Sequence, residues 1–500
     1  MRNAIKRMRC GVLYCRVKTE TKTGVGVGGN GASNAEWIDQ EVAGSSLCDE
    51  RLNKRLLALV KQLEGGNAQS IPMACQDWAN TKAAYRFLSN ERVNERDILS
   101  GHFQSTRSRF SKTDNKVLVL HDTTQVSYQR ENIGLLHKPK YGVNERWRDE
   151  HPLCGISMHS SLVVTTEGQP LGMAAIKFST RKQFKGANSL KRRINPTRVP
   201  IEMKESLWWV TNLKGSTRLL GEAGRCVHIG DRASDVFELF CAAKDEGTHF
   251  VVRTCVDRTI RTNGGIATIN YEMADSPIKG DHRVEVRDKK GHVSVAVLKL
   301  KYRRLKVLPP QGKQSRYPAL TLTAIHAKEK GRPKGRSRID WKLLTDLPIL
   351  SKQDAIEKIN WYALRWKIEV FHKVLKSGLK VEAAKLRTAP RLVNLIAVCC
   401  ILSWRIFWMT MVNRKLPNTA PAVALTAIEL ELLDHLIDES NQHASTQKNL
   451  AHYIIKIARL GGYLARAGDP PPGNIVLWRG LSRLVDITLG FETRAGIVGN

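Results

Sequence analysis

Acid is what this chain is short of: 47 Asp and Glu stand against 80 Lys and Arg, a formal net charge of +33 with a pI near 10.0. Such an imbalance speaks to partners rather than to fold, and the partner it suggests is a polyanion. Nucleic acid is the leading reading and an anionic membrane surface the alternative. Metal-ligand spacing is also missing. The 10 cysteines are scattered, Cys10 and Cys15 have no Cys or His nearby, and Cys399-Cys400 falls in an apolar stretch. They read as reduced, mostly buried thiols in a reducing cytoplasm. A secretory signal is lacking, because residues 1–23 are basic without an apolar segment. No uninterrupted apolar run spans a bilayer either. Asn394 and Arg405 break the run 392–412, leaving 395–404, which suits a buried core helix. The glycine-rich stretch 24–31 has no strand before it and no Gly-Lys-Ser/Thr after it, which excludes a phosphate-binding loop. Internal repeats are absent.

What is present is enough apolar material, 42% of 500 residues, for two or three domains. The basic residues are clustered. Lys177, Arg181, Lys182, Lys185, Lys191, Arg192, Arg193 and Arg198 fall in one run without an acid, and the run Lys301–Arg338 carries twelve cations opposed only by Glu329. Either run alone could be a solvated face; two in so basic a chain favour phosphate contact.

Along the chain, residues 1–36 read as a disordered, glycine-rich leader. Helical spacing over 49–63, stopped by Gly65-Gly66, and over 80–88, with Lys82 and Arg86, predicts a small basic helical unit across 37–100. Strands are expected at 117–120, 161–166, 171–178, 226–229, 250–253, 293–302, 319–327 and 341–345, and helix after Ser351.

Three acids stand out by position. Asp122 and Asp231 each directly follow a predicted short strand, where the open edge of a sheet gathers ligands; Asp is also a common turn residue there. The third, Glu369, lies in a helix predicted over 351–377, which opens with a Ser351–Asp354 capping pair and stops at Gly378. At about 100° per residue, Tyr362, Arg365, Glu369, Lys373 and Lys376 form a stripe about 80° wide on an otherwise apolar helix. A solvated stripe with an Arg365–Glu369 ion pair would explain the charges. It would not explain their coincidence with the two upstream acids. Three carboxylates are what two-metal phosphodiester chemistry requires, with magnesium held by hard oxygens and with Arg and Lys gripping phosphates.

The spacing Tyr362-x2-Arg365-x3-Glu369-x6-Lys376 resembles the Tyr-Arg-Glu-Lys signature of bacterial insertion-sequence transposases with an Asp-Asp-Glu site, the insertion-sequence-four family. The likeness includes Asp122-Thr123-Thr124 with Ser127-Tyr128, Lys204-Glu205-Ser206 with Trp209, Asp231-Arg232 and Phe250-Val251-Val252-Arg253. It continues through Pro333-Lys334-Gly335, Arg365-Trp366, Phe371-His372-Lys373 and Ile457-Ala458-Arg459-Leu460-Gly461-Gly462. The resemblance implies an α/β protein with a ribonuclease H-like catalytic core over 101–410, interrupted by a β-strand insertion at about 257–345. An N-terminal helical DNA-binding domain (37–100) and a C-terminal helical dimerisation domain (411–500) flank it. It implies Asp122, Asp231 and Glu369 as catalytic residues and ligands of two Mg2+ ions, with Mn2+ able to substitute. It assigns DNA contact to Tyr362, Arg365, Lys373, Lys376, Trp341, Arg253 and Arg232, with Trp341 stacking on a flipped base. An ordinary strand-core role is the alternative for Trp341. The implied partners are double-stranded DNA, as transposon ends and target, and a second copy in a synaptic homodimer acting in trans. No membrane and no small-molecule substrate is expected. The implied course is cut-and-paste through a hairpin, in a bacterial cytoplasm, at the nucleoid. Two departures are noted: the leader has no counterpart, and His121 stands where a close relative has an acid. The competing readings are a DNA-binding protein that has lost catalysis and another ribonuclease H-like nuclease, such as a junction resolvase.

Overall fold

The computed structural model describes residues 14–16, 37–65, 70–129, 153–180, 200–287, 293–333, 336–437, 448–466 and 468–498. Most of the leader, and the basic run from Arg181 to Arg198, lie outside them. Within the leader, Tyr14–Arg16 forms a strand, β1, so it is not wholly without secondary structure.

Five helices follow: α1 (Trp37–Val42), α2 (Glu50–Gly65), α3 (Ile71–Cys75), α4 (Trp78–Leu88) and α5 (Glu95–Ser111). The spacing read over 49–63 is the buried face of α2, where Leu56, Leu59, Val60 and Leu63 are shielded. Asp77 caps α4 by accepting from the Asn80 amide at 2.7 Å, and Asn94 caps α5, satisfying donors a helix start leaves open.

The central part comprises β2 (Val117–Gln129), β3 (Leu153–Thr165), β4 (Pro170–Thr180), α6 (Leu207–Leu220), β5 (Cys226–Gly230), α7 (Phe237–Asp245) and β6 (His249–Arg253). Then come β7 (Thr259–Thr262), β8 (Gly265–Thr268), α8 (Ile269–Asp275), β9 (Gly280–Arg287), β10 (Val293–Val307), β11 (Leu320–Glu329) and β12 (Asp340–Thr345). The order β1-β9-β10-β11-β12-β6-β5-β2-β3-β4, with β7 on β10 and β8 on β7, makes one sheet of all twelve strands. Only β2–β5 and β5–β6 are parallel. The insertion strands therefore extend the central sheet, joined where Leu344 of β12 registers with Val252 of β6.

Two expectations need correction. The strand read as 117–120 runs to Gln129, so Asp122 lies inside β2; its outer half is held by antiparallel pairing with β3. The single helix expected over 351–377 is broken. It forms α9 (Lys352–Ala363), α10 (Trp366–Lys373) and a π-helical turn over Val374–Gly378, with a turn at Leu364–Arg365 between the helices. The Ser351–Asp354 capping box is present, and the helical path ends at Gly378 as expected.

Next come α11 (Ala389–Lys415), α12 (Ala427–Leu436), α13 (Leu450–Leu460) and α14 (Asn474–Val498). By length and composition α11 could cross a membrane, yet 94% of its apolar window is buried inside the protein. Asn394 donates to the carbonyls of Leu88 and Val93. Arg405 pairs with Glu64 at 2.6 Å and Glu429 at 2.8 Å, so both polar breaks in this helix have partners inside the protein, although the Arg405 Nε has none.

Candidate active site

The two upstream acids meet through sheet geometry. In the parallel pair β2–β5, Leu118 registers with Val227 and Leu120 with Ile229. The paired register stops there and β5 ends at Gly230, so Asp231 lies just past the strand end, near enough to Asp122 for the charge of one to act on the other. Strand alternation fixes the face. Leu118 and Leu120 point into the main core, and Asp122 follows them; Val117 and Val119 face the other way. Gly230 allows the chain to turn tightly out of β5, because a Cβ there would lie 2.1 Å from the Ser234 hydroxyl. That hydroxyl donates to the Asp231 carbonyl at 2.6 Å, and the Asp231 carboxylate accepts from the Ala233 amide at 2.9 Å.

The helices α9 and α10 lie over this face. Arg365, at their junction, is 3.7 Å from Asp122 and pairs with Glu369. Tyr362 is buried and set edge-on to Trp341 at 5.2 Å between ring centroids, with Arg253, which donates to the Asp340 carbonyl, among the charges acting on it. Lys376 donates to the Gln125 carbonyl. Lys373 is exposed, as is Arg232. Six of the ten residues singled out from sequence thus form one contiguous cluster: Asp122, Asp231, Glu369, Arg365, Tyr362 and Arg253. Trp341 adjoins it through Tyr362, Lys376 holds the outer end of β2, and Lys373 and Arg232 stand at the surface.

Sequence reading missed His372. Its Nδ1 lies 3.5 Å from Asp122 and its Nε2 is 2.7 Å from the Ser160 hydroxyl. Its place three residues after Glu369, beside the charged stripe, was the available signal. His121 has a different role from its neighbour. It points to the opposite face of β2, where its ring nitrogens meet His228 at 2.8 Å and Ser161 at 2.9 Å. Burial holds it neutral, with a pKa lowered to about 3.

Electrostatics distinguish the two aspartates. Burial alone would raise Asp122, but the hydrogen bond and charge of His372, with the charge of Arg365, hold it below its ordinary value. Asp231 is pushed up, first by burial and then by the charge of Asp122, against Arg365 and Arg253. Arg365 is held more firmly protonated by Glu369 and Asp122, which overcome its burial.

Among the described residues no three His, Cys, Asp or Glu side chains converge as a ready metal cluster. A guanidinium instead lies against Asp122 and Glu369. The donor chemistry still fits a divalent cation. Two hard carboxylates are close enough for one to be raised by the other's charge, and a third is tied to the same guanidinium as Asp122.

A family model described as transposase DNA-binding matches residues 34–93, covering α1 to α4. The match supports a transposase that binds DNA.

Proposed function

We propose that this transposase-like chain is a cut-and-paste DNA transposase of the insertion-sequence-four family, nearest in pattern to the transposase of transposon five. It binds inverted-repeat ends, cleaves them through a hairpin, and transfers the 3′ ends into target DNA. The observation that carries the reading is the gathering of Asp122 and Asp231, on neighbouring parallel strands β2 and β5, with Arg365 and Glu369 from the helices above them. A ribonuclease H-like core is supported by the three antiparallel strands β2–β4 continuing into parallel β5 and β6.

The proposed cofactors are two Mg2+ ions, with Mn2+ able to replace them; when bound they supply an activated water and stabilise the leaving oxygen. Asp122 and Asp231 are the side chains that would hold them, joined by Glu369. Arg365 occupies Glu369 in the free protein, and a DNA phosphate offers Arg365 a second, bidentate acceptor. His372 and Ser160 fix the Asp122 carboxylate from behind. Arg253 and Tyr362 are proposed to meet the DNA strand, and Trp341, edge-on to Tyr362, is the proposed stacking surface for a flipped base. Lys373 and Arg232, both exposed, are proposed to meet DNA phosphates, and Lys376 the strand near β2. The synaptic homodimer, its contacts through the C-terminal helices, catalysis in trans and action at the bacterial nucleoid rest on the family likeness.

One observation favours a second reading, a DNA-binding protein without catalysis: Glu369 is tied to Arg365 and no ready metal cluster stands among the described residues. Incubation with Mg2+ and DNA carrying the flanking inverted repeats separates the two. Hairpins and joined products are expected; bound but intact ends would leave only the second reading.

A further inference from the structure

The basic run from Lys301 to Arg338 is not uniformly available for DNA. Arg303 is paired with Glu272, Lys313 with Glu238, Arg316 with Glu202 and Arg336 with Glu329. Two of those pairs are internal to 257–345, and the pairs to Glu238 and Glu202 fasten that segment to the part of the chain before it. Lys301, Lys328, Lys330 and Arg338 of the run gather elsewhere, and strand alternation decides where the strand residues among them point.

Leu298 and Leu300 of β10, Ile325 and Ala327 of β11, and Leu343 of β12 point into the main core, on the same face as Asp122. The residues between them therefore point to the other face. These are Lys299 and Lys301, His326 and Lys328, and Lys342. Registers Leu300↔Ala327 and Ala327↔Trp341 bring the three strands side by side. Helix α8 forms the far wall. The result is a concavity of about 510 Å³ lined by Lys299, Lys301, Lys328, Lys330, Arg338 and Lys342, with Met273, Ala274 and Ile278 as its apolar part.

Its lining holds more cations than acids, although Asp281 of β9 registers opposite Lys299. The one carboxylate in its lining, Glu329, is bound to Arg336 and to the Ile339 amide, and Asp340 nearby is bound to His326. Lys301 and Lys342 are fixed by neutral acceptors only: the carbonyls of Met273 and Ala274, and the Asn270 side chain. Lys299, Lys328 and Lys330 have no acidic partner among the described residues. A merely solvated basic face has no reason to be concave, nor to pin two lysines inward with dipoles. Convergent cations around a small hollow suit a phosphate-bearing polyanion.

We propose that this concavity is a second DNA-backbone site, on the face of the sheet opposite the three acids. It binds phosphates of a duplex segment other than the one being cut, without reading its sequence. The inference rests on the proposed transposase function for its choice of DNA as the polyanion.

The test uses the full chain and the triple variant Lys299→Gln, Lys328→Gln, Lys330→Gln. These three side chains lie at the rim or surface and form no internal fastening. Binding of a fluorescent duplex lacking the inverted repeats is followed by anisotropy in EDTA as salt is raised. The variant is expected to show a log–log salt slope shallower by about 2 to 3, at about 0.9 per lost phosphate contact. An unchanged slope overturns the proposal. So does a wild-type protein whose lysines are protected from acylation by a free nucleoside triphosphate but not by duplex, since the hollow would then serve a small anion. Because no cleavage is measured, the outcomes stay separable. A wild-type chain with the expected slope that makes no hairpin or joined product would refute the transposase reading and leave this site standing.

Discussion

Trp341 stands at the boundary between core and site. It is half-buried, packed against the main core, with its ring edge-on to Tyr362. Pulling a base out of a duplex costs a few kcal/mol, and an aromatic surface returns roughly 1–3 of them. If Trp341 is that surface, Trp341→Ala spares the first nick and slows the hairpin, so nicked ends accumulate in a time course. Equal loss of both steps would return Trp341 to the core. The buried histidines behind the site give a pH prediction. Burial lowers His159 and His228 well below their ordinary value. Below about pH 6.5 the unfolded chain takes up protons that these folded side chains refuse, so stability is complete above that pH and falls as pH drops. The loss is on the order of 1.4 kcal/mol per histidine for each pH unit. Urea midpoints at neutral and mildly acidic pH should therefore diverge, and His228→Asn should narrow the gap. A gap of the same size in the variant would show that other groups set the acid sensitivity.

At the scale of elements, what was legible in the sequence follows from what is local. The Ser351–Asp354 cap, the end at Gly378, the short strand before Asp231 and the buried face of α2 all depend on neighbours in the chain. The length of β2 was not legible, because its outer half, Ser127 with Gly155 for example, is held by pairing with β3 rather than by its own apolar pattern. The break at Leu364–Arg365 was hidden for a similar reason: neither residue is a helix breaker, and Arg365 is drawn by Asp122, a partner far along the chain. The ion triad of Glu64, Arg405 and Glu429 ties α2, α11 and α12 together across 341 and 24 residues of sequence. Its one sequence signal was an arginine inside an apolar run, which demands a buried acid. Arg405→Ala leaves two carboxylates buried without their cation. It should cost about 3–5 kcal/mol, read as a lowered melting temperature. A change within the range of surface substitutions would mean that the triad is solvated. The motif Ile457–Gly462 also has a packing reason. A Cβ on Gly461 would lie 1.9 Å from the Val476 carbonyl, and one on Gly480 1.8 Å from that of Ile457, so the glycines let α13 and α14 touch backbone to backbone.

For the whole molecule, one sheet carries two faces with opposite chemistry. The acids and the helices α9 and α10 occupy one, and a hollow lined mainly by lysines the other. The net charge of +33 made DNA the expected partner, but composition could not say which cations were free to meet it. Ion pairs formed in three dimensions decide that: several arginines and lysines of the basic run are paired with acids of their own segment or of helix α7. The central claim is that Asp122, Asp231 and Glu369 act together in phosphodiester chemistry and are not needed for grip. The most direct test measures nicking and end binding side by side for Asp122→Ala, Asp231→Ala and Glu369→Ala with Mg2+. Each variant should lose nicking by at least on the order of a hundredfold, as loss of a charge-stabilising group does, and keep its affinity for the ends. Robust nicking by Glu369→Ala, with end affinity intact, would contradict the assignment of the third acid and with it the account of the site.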